Sequence, residues 1–348
     1  MRAVFYESFS SLPIVTEVAE PVAPADGAVI TVEATGLCRS DIHAWRGHDD
    51  GVSLPHVPGH EFVGRIHSVG PAVSRFRPGQ RVTVPFVCAC GRCPECLSGN
   101  GQVCRNQTQP GFTHWGSYAE RVAVTSADVN LIEVPDSLDA GAAAILGCRF
   151  ATSYRGLAAQ ARVRPGETVL VVGCGAIGLS AVMNAVALGA HDVAVDISDD
   201  ALRLATAAGA HSVVNSSTLS DDETVETIRE LTGGGAQVSL EALGREETTA
   251  VALRSLAPRG RHVQVGLFAR PPRLPIAEVI AGELTILGSH GMSAAEYPAM
   301  LELVATGRLR PQDLITATIG LDDAASAMVA MADGTHPAGI TVIRPGLR

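Results

Sequence analysis

The chain has 348 residues, of which 46% are hydrophobic and 18% are charged, and its formal net charge is −10. This composition is typical of a folded protein that is long enough for two domains, and it excludes a disordered chain. The acidic balance argues against nucleic acid or an anionic membrane as a partner, because both require a concentrated basic surface.

The first part of the chain, up to about residue 145, has short apolar runs that are separated by turn signals. Its predicted strands, rich in β-branched residues, are residues 28–34, 62–69 and 81–84. Pro58-Gly59 and Pro78-Gly79 indicate turns between such strands. We therefore expect residues 1–149 to form a β-rich domain whose loops carry functional side chains.

From about residue 150, predicted strands alternate with helices. Residues 168–172 form a continuous apolar run, which is typical of a strand buried on both faces, and helical spacing follows at 176–188. The later elements are strands at 192–195, 237–241, 262–265 and 285–287, with a helix at 200–208. This alternation predicts a parallel sheet covered by helices over residues 150–288. A helix at 294–305 and a strand at 340–343 close the chain, and we expect residues 289–348 to return to the first domain.

Four cysteines lie close together with the spacing C-x2-C-x2-C-x7-C: Cys90, Cys93, Cys96 and Cys104. Four thiolates suit a tetrahedral metal, usually zinc, and a sphere filled by cysteines is structural because no position remains for substrate. Such an ion would hold the lobe of residues 88–105 in place. Two disulfides or an iron–sulfur cluster are the alternatives. The start of the chain shows no export signal, so we expect a cytoplasmic, reducing location that favours metal binding.

A glycine-rich loop follows the predicted strand at residues 168–172. Gly173, Gly175 and Gly178 have the spacing G-x-G-x-x-G, which combines a tight turn, close approach to a pyrophosphate and close packing of helix and strand. The loop predicts cofactor contacts by Gly173, Gly175, Ala176, Ile177 and Gly178. Asp196 ends the next strand and would accept hydrogen bonds from ribose hydroxyls while repelling a 2′-phosphate, which favours NAD over NADP. A plain strand–helix turn is the alternative interpretation.

Three residues from distant segments suit a second metal site of a different kind: Cys38, His60 and Cys148. Taken singly, a buried cysteine or a hydrogen-bonded histidine is the ordinary interpretation. Together they form a Cys2His set, and three protein ligands leave one position open for water or a substrate oxygen. The set lies in the motifs Gly36-Leu-Cys38-Arg39-Ser40-Asp41, Gly59-His60-Glu61 and Leu146-Gly147-Cys148.

The chain carries these motifs in the order that is typical of the zinc-dependent medium-chain alcohol dehydrogenases, and it resembles that family over essentially its whole length. The resemblance implies an α/β fold, with a GroES-like β-rich catalytic domain and a Rossmann doubly wound parallel-sheet cofactor domain. It also implies an NAD-dependent alcohol dehydrogenase with two zinc ions per subunit, one catalytic and one structural. A homodimer or homotetramer is the expected assembly.

The resemblance further implies roles for the side chains around the catalytic zinc. Cys38, His60 and Cys148 would bind the ion, and Glu61 would be an alternate ligand. Ser40 would bond the alcohol and pass its proton towards His43. Asp41 would orient the zinc-binding histidine, as partners of metal ligands commonly do.

Contacts to the cofactor and the substrate are implied for a further group of residues. Arg39 would contact the pyrophosphate, whereas Val265 and Leu267 would flank the nicotinamide. The substrate pocket would be lined by Ser40, Trp45, Phe86 and Trp115. For the three aromatic residues, packing between loop and core is an equally open interpretation.

The implied reaction is the reversible transfer of a hydride between a primary or secondary alcohol and NAD, with a carbonyl compound as the product. A polyol or amino-alcohol (threonine-type) dehydrogenase of the same superfamily is the alternative, although the polyol enzymes usually carry Glu where this chain has Cys148. A metal-independent reductase would lack both metal sets. A noncatalytic relative would lack ligands or Ser40, and all of these are present.

Overall fold

The computed structural model describes residues 1–347, which divide into two compact units. The first unit comprises Met1–Cys148, Gly291–Ala299 and the chain from Ile315 onward, and the second comprises Arg149–His290 and Met300–Leu314. The sequence assigns residues 300–314 to the first domain, but they belong to the second unit. There the Arg308 guanidinium donates a hydrogen bond to the Ala187 carbonyl at 2.6 Å, which ties this segment to the second unit.

The secondary structure of residues 1–347 is as follows. The strands are β1 (Arg2–Phe5), β2 (Ile14–Glu17), β3 (Ala28–Gly36), β4 (Phe62–Val69), β5 (Arg81–Thr83), β6 (Arg121–Val124), β7 (Ile132–Glu133), β8 (Thr168–Val172), β9 (His191–Asp196), β10 (Ser212–Asn215), β11 (Ala236–Glu241), β12 (Leu256–Gln264), β13 (Thr285–Gly288), β14 (Ile315–Gly320) and β15 (Ile340–Arg344). The α-helices are α1 (Arg39–Trp45), α2 (Pro94–Leu97), α3 (Ala127–Asn130), α4 (Ala140–Ile145), α5 (Ala151–Arg155), α6 (Ala176–Ala187), α7 (Asp199–Ala207), α8 (Asp221–Leu231), α9 (Glu246–Arg254), α10 (Ile276–Ala281), α11 (Tyr297–Ala305) and α12 (Leu321–Ala332). Leu146–Phe150 and Gly156–Gln160 are π-helical turns, and Gly101–Val103, Ala294–Glu296 and Pro311–Leu314 are 3-10 turns.

The first unit is built around a mixed sheet in the order β14-β15-β3-β4-β5-β7, with β6 also paired to β3. Strand β3 alternates buried and exposed positions in its middle, and buried apolar residues such as Ile30, Phe62 and Val82 form the core beneath the sheet. The antiparallel pairing of β3 with β4 ends where Thr35 lies opposite Phe62. The residues that follow β3 are therefore next to the residues that precede β4.

The second unit contains a fully parallel sheet in the order β10-β9-β8-β11-β12-β13, which confirms the predicted doubly wound architecture. The order reverses between β8 and β11, because β9 and β10 extend the sheet on one side and β12 and β13 on the other. Crevices at such a reversal, at the carboxyl ends of the strands, are where open α/β sheets bind ligands. The glycine loop after β8 lies at this point.

The other differences from the predicted elements are local. Strand β12 begins at Leu256 instead of residue 262, and a register shift against β11 accommodates the early part. The predicted helix at 294–305 starts with a 3-10 turn before α11. Several further elements after residue 150 are not predicted by the patterns above, among them strands β10 and β14 and helices α8, α9, α10 and α12. None of the helices in residues 1–347 has the length and apolarity that a membrane crossing requires.

Candidate active site

The donor atoms of Cys38, His60 and Cys148 come together in the first unit, where they all lie within 4.8 Å of one another. All three side chains are buried. A tetrahedral zinc ion has ligand distances of about 2.0–2.3 Å, so donors around one ion lie within about 4 Å of each other. The observed upper limit is close to that spacing, and the set of two thiols and an imidazole matches the composition of an open zinc site.

Backbone pairing explains why the first two of these residues meet. The Gly36 N–H donates to the Glu61 carbonyl at 2.9 Å, which continues the pairing of β3 with β4. Cys38 is the N-cap of α1, so the chain turns into a helix directly after it. Cys148 approaches from the π-helical turn Leu146–Phe150. Such turns often occur at functional sites, because they change the direction of side chains within a helix.

The ring of His60 is held by Asp41, whose Oδ1 lies 2.8 Å from Nδ1. This contact places the hydrogen on Nδ1 and the lone pair on Nε2. Among residues 1–347, Nε2 has no hydrogen-bond partner although it is buried. Burial lowers the pKa of His60, but Asp41 and then Cys38 outweigh it and raise the pKa well above its ordinary value, so a metal ion would bind Nε2 in competition with a proton. A buried nitrogen left without a partner beside two thiols fits a metal ligand.

The Asp41 carboxylate is completely buried and is the centre of a hydrogen-bond network. Its Oδ1 also accepts from the Gly59 N–H at 3.1 Å, and its Oδ2 accepts from the Cys38 N–H at 3.2 Å and from the Tyr118 hydroxyl at 2.6 Å. Burying a carboxylate is costly unless donors surround it, and here four donors do. The sequence patterns predict Asp41 in this place but give no signal for Tyr118.

The predicted proton path begins beside the ligands. The Ser40 hydroxyl lies 3.8 Å from the Cys38 sulfur. His43, on the same helix, is exposed to solvent, and its Nδ1 lies 3.4 Å from Nδ1 of His48. Partial burial, followed by the charges of His48 and Arg39, lowers the pKa of His43 below its ordinary value. A neutral, exposed imidazole at this position is able to accept a proton near pH 7.

Of the aromatic residues expected at the pocket, one lies beside the metal ligands. The Phe86 ring is 6.1 Å from the His60 ring, edge to face. Phe112, which the sequence patterns do not single out, is closer at 5.2 Å. By contrast, Trp45 is buried in a core cluster and its indole N–H donates to the Ser11 carbonyl at 2.7 Å. Trp115 packs on Phe5 and lines a cleft of about 390 Å³.

Two further predicted residues have clear positions in the first unit. Glu61 follows the histidine ligand and is fully buried, and its backbone carbonyl accepts a hydrogen bond from the Thr35 hydroxyl at 3.0 Å. Arg39 is the first residue of α1 and is exposed.

The four cysteines of the lobe form a compact cluster in which no disulfide joins any two of them. The Cys93 sulfur lies 3.3 Å from that of Cys96 and 3.6 Å from that of Cys104, and Cys90 and Cys96 are 4.0 Å apart. A Zn–S length of about 2.3 Å gives sulfur separations of about 3.8 Å around a tetrahedron, which matches these values. The Arg92 N–H lowers the pKa of Cys90 to about 6, whereas burial raises the pKa of Cys96 to about 12 and also raises that of Cys104. A bound metal ion would favour the thiolate form of its cysteine ligands.

In the second unit, the glycine loop has the geometry that its spacing predicts. Gly173 has a φ of +92°, and a Cβ on Gly178 would lie only 1.7 Å from the Gly173 carbonyl oxygen. A Cβ on Gly175 would have no neighbour within 4 Å, so the loop leaves open space where its first helical amides, at Ala176 and Ile177, are exposed to a ligand. This cradle fits a pyrophosphate.

Asp196 is tied to the glycine loop at the end of β9. Its Oδ2 accepts from the Cys174 N–H at 2.6 Å, and its Oδ1 accepts from the Ser198 N–H at 2.9 Å. These bonds fix a carboxylate next to the loop, as a ribose-binding acid requires.

The predicted nicotinamide segment lies after β12, where Val265 is buried and Leu267 is 82% exposed. Its shape depends on Glu241, a fully buried carboxylate at the end of β11. Glu241 accepts hydrogen bonds from the Gly244 N–H, the Thr248 hydroxyl and the Gln264 amide at 2.6–3.0 Å. The sequence patterns assign no role to this residue.

These observations define a class of protein: a dehydrogenase with a metal-binding catalytic unit and a nucleotide-binding unit. Residues 24–136 match the family described as alcohol dehydrogenase GroES-like domain, and residues 176–306 match the family described as zinc-binding dehydrogenase. The resemblance seen in the sequence is therefore confirmed, and the chain belongs to the zinc-dependent medium-chain alcohol dehydrogenase family.

Individual relatives agree with this assignment. An alcohol dehydrogenase of Geobacillus stearothermophilus is 34% identical over 89% of this chain and 90% of its own length. An L-threonine 3-dehydrogenase of Streptomyces coelicolor is 31% identical over 96% of this chain and 97% of its own. The solved structure of the alcohol dehydrogenase TADH from Thermus sp. ATN1 has a TM-score of 0.90 and 31% identity, and the match covers 99% of both chains.

Proposed function

We propose that this protein oxidises primary or secondary alcohols to aldehydes or ketones with NAD, and catalyses the reverse reduction. The observation that carries the proposal is the buried Cys38–His60–Cys148 set, in which the His60 Nε2 has no partner among residues 1–347. Three protein donors of this kind leave one coordination position for a substrate oxygen. Membership of the alcohol dehydrogenase family supports the same conclusion.

The residues of the first unit would divide the work between them. Cys38, His60 and Cys148 would hold zinc, and Asp41 would keep the His60 lone pair directed at it. A bound zinc supplies a Lewis acid that makes the alcohol proton easier to lose, and NAD supplies the hydride acceptor. Ser40 would take up the alcohol proton and His43, at the solvent, would release it. Glu61 would serve as an alternate ligand.

The second unit would bind the cofactor through its glycine loop. The open space above Gly175 and the amides of Ala176 and Ile177 suit the pyrophosphate. Asp196 would accept hydrogen bonds from the adenosine ribose and disfavour a 2′-phosphate, so we propose NAD instead of NADP. Val265 and Leu267 would flank the nicotinamide, and Arg39 would contribute a positive charge to the pyrophosphate.

A second zinc ion would occupy the four-cysteine lobe. Cys90, Cys93, Cys96 and Cys104 fill all positions of a tetrahedral ion, so this metal would stabilise the lobe without taking part in the reaction. The expected content is therefore two zinc ions per chain.

A threonine-type or polyol dehydrogenase is the second candidate, favoured by the relationship to an L-threonine 3-dehydrogenase over nearly the whole chain. The aromatic rings of Phe86 and Phe112 beside His60 argue for a less polar substrate. A polyol or amino alcohol would need charged or amide side chains near the metal ligands to pair with its additional polar groups.

The test combines metal analysis with a substrate panel. We expect two zinc ions per chain, and reduction of NAD with simple primary or secondary alcohols at a higher kcat/KM than with polyols or threonine. Cys38→Ser should lose one zinc ion and the activity. Cys88→Ser is the matched control, because Cys88 is a buried cysteine of the core that belongs to neither metal set. Full activity in Cys38→Ser, or activity without metal, would refute the proposal.

We also propose that the protein assembles as a homodimer, or as a tetramer of such dimers, through the second unit. Strand β13 is the last strand of the parallel sheet and leaves one edge without a neighbour in the sheet order. Helix α10, close in sequence, has no buried residue, and its Ile276 and Ile280 are 51% and 74% exposed. An open sheet edge and an exposed apolar helix are both surfaces that proteins normally cover.

A further inference from the structure

A buried tyrosine of the first unit touches the scaffold of two metal ligands at once. The Tyr118 hydroxyl donates to Asp41 Oδ2 at 2.6 Å, and Asp41 in turn bonds the His60 ring. The same hydroxyl accepts the Cys38 N–H at 3.3 Å. The Gly36 carbonyl, at 3.1 Å, is a second acceptor within reach. One hydroxyl therefore connects the main chain of one ligand with the carboxylate that orients another.

The fold keeps the Tyr118 ring in this position. The Tyr118 N–H donates to the Pro58 carbonyl at 2.9 Å, two residues before His60. Gly59 has a φ of +105°, and a Cβ there would lie 2.4 Å from the Tyr118 ring. The ring can thus pack directly on the backbone that leads into the histidine ligand. Leu37 and Ile42 pack in the same core cluster and complete its surroundings.

Without the Tyr118 hydroxyl, one side of the Asp41 carboxylate would be poorly held. Asp41 Oδ2 accepts two hydrogen bonds, and the shorter one, at 2.6 Å, comes from Tyr118. Without it, Oδ2 would keep only the bond from the Cys38 N–H at 3.2 Å. A buried carboxylate that lacks a donor lowers its free energy by rotating towards other donors. Any such rotation also moves Oδ1, which sets the direction of the His60 ring.

We propose that Tyr118 is a positioning residue of the catalytic metal site, which acts through Asp41 to hold His60 and through the Cys38 backbone to hold the thiol ligand. This inference rests on the proposed function, since it concerns how firmly the Cys38–His60–Cys148 set retains its metal. Partners of metal ligands change metal affinity or activity by about 10–100-fold when they are removed. Tyr118 reaches His60 only through Asp41, so it is one hydrogen bond further from the metal than such a partner. We therefore expect an effect of about 10-fold, at the lower end of that range.

The experiment measures metal release from Tyr118→Phe, which keeps the ring and removes the hydroxyl. A chromogenic chelator added to the zinc-loaded protein should remove one of the two zinc ions about 10-fold faster than from the unchanged protein. The zinc of the four-cysteine lobe should leave at its original rate, and it serves as an internal reference. Cobalt in the catalytic position should also show a shifted visible absorption spectrum.

Tyr6→Phe is the matched control. Tyr6 belongs to the same core cluster and is buried, and its hydroxyl has no hydrogen-bond partner among the residues described. Its removal should leave both release rates and the cobalt spectrum unchanged. A second variant tests the route: in an Asp41→Asn background, Tyr118→Phe should add much less to the release rate than it does alone.

Three results would overturn the inference: unchanged release from Tyr118→Phe, equal acceleration of both metals, or an undiminished effect in the Asp41→Asn background. A different result would refute the proposed function itself: the unchanged protein would then lack a second, exchangeable zinc ion. Two zinc ions in the unchanged protein with unaltered release from Tyr118→Phe would refute only the role of Tyr118.

Discussion

His43 combines exposure to solvent with a lowered pKa. Its imidazole is neutral near pH 7, so it can accept a proton during alcohol oxidation, and it becomes charged only at pH values below the ordinary 6.5. Replacing it with Gln removes the acceptor. We expect kcat/KM for alcohol oxidation at pH 7 to fall about 100-fold in His43→Gln, the lower end of the range of acid–base contributions. The remaining activity should rise with pH, as hydroxide and buffer replace the imidazole.

His48→Gln is the control for this prediction. His48 lies beside His43 and contributes to its lowered pKa. The variant should keep the rate at pH 8 and move the acidic limb of the profile to higher pH, because a positive neighbour has been removed. Profiles of kcat/KM between pH 5.5 and 9.5 distinguish the two variants. An unchanged profile in His43→Gln would exclude His43 from the proton path.

Asp192, in β9, is a second residue with a strong physical signature. It is completely buried, neither of its carboxylate oxygens has a hydrogen-bond partner within residues 1–347, and burial raises its pKa well above the ordinary value. The unfolded chain releases this proton above about pH 4, whereas the folded chain keeps it. The free energy of unfolding therefore falls as the pH rises above about 4, until the raised pKa is passed.

Asp192→Asn removes this ionisation but keeps a buried polar group, so only the pH-dependent loss of stability disappears. We expect the free energy of unfolding at pH 8 to rise by about 1 kcal/mol or more, because a tenfold difference in proton affinity between the folded and unfolded chain corresponds to about 1.4 kcal/mol. The gain should shrink towards pH 4. Denaturant titrations at several pH values measure both, with the exposed Asp50→Asn as a control that changes neither. Equal stability of Asp192→Asn and the unchanged protein at pH 8 would contradict the assignment of a neutral, unpartnered acid.

The positions of Tyr118, Phe112 and Glu241 beside functional residues could not be predicted from the sequence. The candidate ligands could be named from the sequence because metal chemistry restricts the residue types, and the structure brings their donor atoms together. Tyr118 and Phe112 reach the site through the packing of a loop, and any core position accepts an aromatic residue. Glu241 accepts hydrogen bonds from donors in the loop after β11, in α9 and in β12. A local sequence pattern cannot predict that these three donors meet at one carboxylate.

At the element scale, the loop between β8 and α6 offers a pair of glycines that look alike in sequence but differ in their surroundings. In Gly178→Ala, the new Cβ would meet the Gly173 carbonyl oxygen at 1.7 Å, so helix and strand must move apart. We expect a loss of about 1–3 kcal/mol of stability, as is usual for overpacking, together with weaker NAD binding. Gly175→Ala meets no atom within 4 Å and should weaken NAD binding alone.

Thermal unfolding and titration with NAD separate these two effects. The melting temperature of Gly178→Ala should decrease, whereas that of Gly175→Ala should stay close to the unchanged value. A normal NAD affinity in Gly175→Ala would show that the open space above this loop is not the site of the pyrophosphate.

The elements themselves could be predicted where one signal dominated. The buried apolar run of β8, the glycine loop and the acid at the end of β9 all follow from a parallel sheet that binds a nucleotide. Strand β12 was predicted too short: it begins at Leu256, and Pro258 and Gly260 lie within it where its register against β11 shifts. The π-helical turn that carries Cys148 has no sequence signature, although it decides how the third ligand approaches.

At the scale of the whole molecule, the chemistry is distributed over two units that are interleaved along the chain. The candidate metal ligands lie at residues 38–148 in the first unit, and the glycine loop and Asp196 lie at residues 173–196 in the second, but the segment 300–314 joins the second unit after the chain has re-entered the first. Motif order along the sequence predicts which functions are present. It does not predict this exchange, because the hydrogen bond of Arg308 to Ala187 depends on where α6 ends.

The exposed isoleucines of α10 bear on how copies of the protein assemble. Ile276 and Ile280 lie one helical turn apart on α10, and Ile280 is 74% exposed, so a charge there would be buried if two copies pair through this side of the second unit. We expect the unchanged protein to be a dimer or tetramer by light scattering, and Ile280→Glu to shift it towards a smaller species by at least about 10-fold in dissociation constant. Val22→Glu, at an 85% exposed valine of the first unit, should leave the assembly unchanged. A monomer in the unchanged protein, or an intact assembly in Ile280→Glu, would show that this apolar surface is not where the copies meet.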